Sequence, residues 1–105
     1  MATIGAQINP ELIESFCRQW NVSEFSLFGS VLRGDFNDAS DVDVMVSFKK
    51  DAGWSLLDHV TMRDELAILF GRNVDLVTRK GVERSQNALR RAAILETARV
   101  FYAAT

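Results

Sequence analysis

The sequence predicts an α/β (α+β) domain in which helices and short strands alternate along the chain. Three observations carry that expectation: apolar residues at helical spacing near residue 10, a strict period of two from Val42 to Phe48, and Gly, Asn or polar turns between the segments. A length of 105 residues suits a single domain, residues 1–105, built on one core. The composition is 48% hydrophobic and 25% charged, which is globular rather than disordered.

Asn9-Pro10-Glu11 has the grammar of a helix start. Asn caps, Pro tolerates the first helical position, and Glu favours the positive end of the dipole. Leu12, Ile13, Phe16, Cys17 and Trp20 then give an apolar stripe, so a helix is expected from about 10 to 20, ended near Asn21. Phe25-Ser26-Leu27-Phe28 is a short β-favouring run that stops at Gly29, and a helical turn is expected after Ser30. From Val42 to Phe48 the alternation puts Val42, Val44, Val46 and Phe48 on one face, and Asp41, Asp43, Met45 and Ser47 on the other. Lys49 to Gly53 reads as a turn. Trp54 to Phe70 reads as a helix with a stripe of Met62, Leu66, Leu69 and Phe70, closed by Gly71. Val74-Asp75-Leu76-Val77 is a further strand; after Arg79-Lys80-Gly81, about 85–97 reads as a helix by composition, and Arg99 to Tyr102 as a last extended segment.

Twelve Lys+Arg against fourteen Asp+Glu give a net charge of −2. No long-range field draws such a chain onto a polyanion, so direct nucleic-acid binding is not expected. The lone Cys17 forms no intramolecular disulfide, and the apolar stretches are short, as at Leu66–Phe70. A soluble, cytoplasmic protein without membrane contact is expected.

The chemistry is concentrated between Gly29 and Asp43. A strand ending in Gly29-Ser30 and leading into a helical turn lets backbone approach a phosphate, because Gly lacks Cβ and a helix start exposes N–H groups. On its own the pair also describes an ordinary turn. Asp41 and Asp43, two apart on a strand, project to one face and repel unless a cation lies between them; a hard divalent ion such as Mg²⁺ meets that need. A bare Asp-x-Asp equally describes a solvated strand end. Asp75 favours the site: if its strand neighbours the first, a third carboxylate joins, able to bind metal and to accept a proton from an attacking hydroxyl.

Gly29-Ser30, ten residues, Asp41-Val42-Asp43 and the separate Asp75 resemble the pattern of the DNA polymerase β-like nucleotidyltransferase superfamily, over about residues 10–102. The small size resembles the minimal nucleotidyltransferase antitoxins paired with HEPN toxins. The resemblance implies a nucleotidyltransferase fold, with a mixed sheet of about four strands and helices packed on one face. It implies a Mg²⁺-dependent protein adenylyltransferase, with two metal ions, that moves AMP from ATP to a tyrosine of a HEPN ribonuclease toxin. On this chain Gly29 and Ser30 would hold the triphosphate, Asp41 and Asp43 the metals, and Asp75 would complete the metal site and act as base. Arg33 either reaches a phosphate oxygen or pairs with Asp35. No motif position is missing, so a competent enzyme is expected. Two alternatives stand beside it: an antitoxin that masks the toxin by binding alone, and a nucleotidyltransferase subunit for a small molecule.

Other conspicuous residues have plainer readings. His59 has no ligand partner at metal spacing, Cys17 belongs to an apolar stripe, and Lys49-Lys50 and Arg90-Arg91 are short basic pairs on the surface. Trp20, Trp54, Phe101 and Tyr102 are core candidates, and any that are exposed would mark a partner surface.

Overall fold

Asn9 caps the first helix as its sequence predicts. Its side chain accepts from the Glu11 backbone N–H at 2.9 Å, with Pro10 in the first turn, and α1 runs Pro10–Gln19. The computed structural model describes residues 9–29, 41–50 and 52–104. The turn expected after Ser30, with Ser30 and Arg33 themselves, lies outside the described residues. Ile13, Phe16 and Cys17 are buried, whereas Leu12, grouped with them by spacing, is exposed. Asn21 takes a left-handed φ of 55° and turns the chain into β1, Val22–Phe28, which begins ahead of the Phe25 expected.

β2 spans Val42–Phe48, as its alternation requires. Helix α2, Leu56–Phe70, starts just after Trp54, because Ser55 and Asp58 form a reciprocal capping box. It ends on Gly71 at φ 68°. β3 is Val74–Thr78. Where the sequence suggests no element, Arg79–Glu83 forms a short helix, α3, whose start is capped by Thr78 Oγ1 accepting from the Gly81 N–H. Helix α4, Ala88–Thr97, and β4, Arg99–Ala103, complete the described chain.

The four strands form one mixed sheet in the order β3-β2-β1-β4. β2 and β3 are parallel; β1 is antiparallel to both β2 and β4, with register shifts at Val22/Glu24 and Phe25/Ser26. The larger core lies under α1 and α2, where Ile13, Phe16, Cys17, Met62 and Leu66 meet Val42, Val44, Val46 and Leu76. Full burial of each such side chain contributes about 1.5–3 kcal/mol. Trp20 closes this core: its indole N–H donates to Glu65, its carbonyl accepts from Trp54, and the two rings meet edge to face at 5.0 Å.

The mixed four-stranded sheet is as expected, but helices cover both of its faces rather than one: α1 and α2 pack on the larger core, and α3 and α4 pack on the other face around a smaller cluster. There Phe28 and Met45 pack with Val82 of α3 and Ile94 of α4. Phe101 departs from the core expectation: it is exposed, as is Val100, because β4 is an edge strand. Among the described residues no helix is long and apolar enough to cross a membrane.

Candidate active site

The alternation of β2 that buries Val42, Val44 and Val46 sends Asp41 and Asp43 to the opposite face, the one bearing Met45 and the smaller cluster. β3 does the same, burying Val74 and Leu76 and turning Asp75 outward. Because β2 and β3 are parallel and Val42 pairs with Val74, Asp43 falls directly opposite Asp75. Residues paired in this way point to the same face, about 5 Å apart across the sheet. Asp41 lies two residues earlier, anchored by the Val42 N–H donating to the Asn73 carbonyl at 3.0 Å. Asp43 is half-buried, and Asp41 and Asp75 are exposed, so Asp75 carries no large desolvation penalty.

On the other flank of Asp43 stands the end of β1. Phe28 is its register partner, and Gly29 follows with φ +76°. An added Cβ at Gly29 would lie 2.1 Å from Asp43 Oδ2. Only glycine permits both this backbone conformation and this approach. Three adjacent strands therefore place the Gly29 bend, Asp43 and Asp75 in one row.

The donor type fits a hard divalent cation: carboxylate oxygens from neighbouring strands on a solvent-accessible face. As the side chains are placed, no three acidic, His or Cys groups among the described residues are gathered closely enough to hold an ion. The fit lies in the backbone positions of Asp41, Asp43 and Asp75, whose carboxylates must turn toward one another around a cation. Ser30 and Arg33 lie outside the described residues.

The residues with plainer readings behave accordingly. His59 Nε2 lies 2.9 Å from the Leu76 carbonyl, which makes it the donor and ties α2 to β3. Cys17 is fully buried, and burial, with a smaller contribution from Glu14, pushes its thiol up to about 12. Sequence reasoning missed α3 and with it a cleft of about 330 Å³ that α3 and α4 form beside β3, lined by Arg90 and Arg91. Thr78 three residues before Gly81 was the local signal for that helix. A larger hollow of about 540 Å³ lies at the far end of β2, by Phe48, Lys49 and Trp54, away from the carboxylates.

A sequence profile described as nucleotidyltransferase domain matches residues 10–101. The chain is 35% identical over 65 residues to protein adenylyltransferase MntA of Thermococcus cleftensis, covering 62% of this chain and 64% of that protein. A Methanocaldococcus jannaschii protein, described as a candidate protein adenylyltransferase, is 33% identical over 64 residues, 61% of this chain and 64% of its own. The chain thus matches just under two thirds of the length of these curated relatives. Among solved structures, a candidate minimal nucleotidyltransferase superposes with a TM-score of 0.69 at 31% identity, over 94% of this chain and 95% of that one. A toxin–antitoxin crystallised with AMP-PNP shares the fold at a TM-score of 0.70 and 19% identity, over 93% of this chain and 76% of that one. A tri-AMPylated Shewanella oneidensis HEPN toxin in complex with MNT antitoxin does so at 0.63 and 18% identity, over 93% and 72%. The profile runs from the first turn of α1 into β4 and takes in every strand that carries the row of Gly29, Asp43 and Asp75; on that match the chain belongs to the nucleotidyltransferase-domain family.

Proposed function

We propose that this protein is a Mg²⁺-dependent protein adenylyltransferase that transfers AMP from ATP to a tyrosine of a HEPN-type ribonuclease toxin in the cytoplasm and so neutralises it. The observation that carries the reading is the register pair Asp43–Asp75 beside the Gly29 bend. Similarity to proteins named adenylyltransferases, and a fold shared with antitoxins bound to HEPN toxin, support it.

In this reading Gly29, Ser30 and Arg33 hold the triphosphate. Asp41, Asp43 and Asp75 hold Mg²⁺, which when bound neutralises phosphate charge. Asp75, at the edge strand, accepts the proton of the incoming tyrosine hydroxyl. The hydroxyl oxygen forms a bond to the α-phosphorus as the bond to the departing oxygen breaks, and pyrophosphate leaves. The protein's part is mostly positioning and charge, as phosphoryl-type transfers require.

The test is incubation with α-labelled ATP, Mg²⁺ and the candidate toxin. Label should appear on the toxin, disappear with Asp43→Asn, and disappear when EDTA removes the metal. Toxin neutralisation that survives Asp41→Asn combined with Asp43→Asn would refute catalysis and leave masking by binding.

A further inference from the structure

Arg90 and Arg91 look like ordinary surface charge in the sequence, yet the fold brings both into the cleft between α3 and α4. Val77, Val82 and Ile94 form its apolar part, and no acidic residue among the described residues lines it. The Arg91 guanidinium is half-buried and donates to the Ser85 carbonyl, which fixes it in the wall. The Arg90 side chain is exposed and has no ion-pair partner among the described residues. Two cations in a cleft that no acidic residue lines, among the described residues, favour an anionic ligand.

The position of the cleft says which ligand. Val77 lies two residues beyond Asp75 on the same face of β3, about 7 Å along the strand. The Gly29 bend stands on β1, on the opposite flank of Asp43. A triphosphate held at the bend lies toward β1, and in-line displacement then brings the acceptor hydroxyl from the β3 side. We propose that the Arg90/Arg91 cleft is an acceptor subsite that binds an anionic group carried beside the acceptor hydroxyl. The assignment rests on the reading of Asp75 as the base. The anion has two sources: an acidic side chain next to the tyrosine, or the phosphodiester of an AMP attached in a previous turnover, whose ribose presents a fresh hydroxyl.

The test separates binding from turnover. Three fluorescent peptides are titrated against the full chain by anisotropy: tyrosine flanked by Gln, tyrosine flanked by Glu, and the Gln peptide carrying O-adenylyl tyrosine. At least one charged peptide should bind about tenfold more tightly than the neutral one. Which one gains identifies the source. Arg90→Glu and the milder Arg90→Gln should both erase the preference, with AMP-PNP affinity unchanged. Asp43→Asn should keep the preference and lose AMP transfer. Equal binding of all three peptides, a preference that survives Arg90→Glu, or a loss of AMP-PNP rather than peptide affinity would overturn the subsite. A wild-type chain that shows the charge preference but transfers no AMP would instead sink the enzymatic reading alone.

Discussion

A methyl group added to Gly29 would sit 2.1 Å from Asp43 Oδ2, so the bend at the end of β1 and the half-buried carboxylate of β2 occupy one fitted space. Gly29 also holds φ +76°, which L side chains rarely adopt. Gly29→Ala is therefore expected to cost about 1–3 kcal/mol in unfolding free energy. By displacing Asp43 it should lower AMP transfer by about two orders of magnitude. Urea unfolding and transfer assays check both, and an Ala variant with wild-type turnover would separate this contact from catalysis.

Asp43 and Asp75 are register partners on parallel strands, an arrangement that favours cation binding. Asp43→Asn and Asp75→Asn should each reduce transfer by about 10²–10⁴-fold. Without added Mg²⁺, Asp75→Asn should leave the thermal midpoint unchanged or raise it, because the exposed carboxylate opposite Asp43 is gone. A large loss of stability in Asp75→Asn would show that this carboxylate is held by structure rather than kept for a ligand.

Burial of Cys17 raises its thiol from an ordinary 9.0 to about 12. The folded state favours the protonated thiol, so its contribution to stability is complete below pH 9.0 and is lost as pH rises toward about 12. The slope is at most about 1.4 kcal/mol per pH unit. Urea midpoints of the wild type should fall more steeply across this window than those of Cys17→Ala. Native Cys17 should also resist thiol reagents at neutral pH and react once the chain is unfolded.

Glu65 accepts the Trp20 indole N–H at 2.9 Å, while Trp20 accepts from Trp54 through its carbonyl. Glu65→Leu leaves the indole N–H without this partner and should cost about 1–3 kcal/mol. Glu65→Gln, which retains an acceptor oxygen, should cost less. Chemical denaturation followed by Trp fluorescence compares the two variants.

Most of this architecture was legible from Asn9-Pro10-Glu11, the alternation of Val42 to Phe48, and Gly71, because each encodes a local rule: a cap, a two-residue period, a left-handed stop. The pairing of Asp43 with Asp75 was expected only conditionally, since strand adjacency and register are long-range properties. Three features escaped for identifiable reasons. Thr78 capping turned an apparent loop into α3. β4 lies at a sheet edge, so Phe101 is exposed despite its apolar character. Arg90 and Arg91 acquire a shared cleft only when α4 packs beside α3.

The sheet divides its labour by face. Its larger core lies under α1 and α2, and the acidic row stands on the reverse side. Chemistry on this scaffold can be rewritten or erased with little risk of unfolding, because the polar row contributes few of the apolar contacts that hold the domain together. A descendant stripped of its carboxylates would keep the same folded surface, so under the proposed function this architecture has a route from catalyst to pure binding protein through a handful of substitutions.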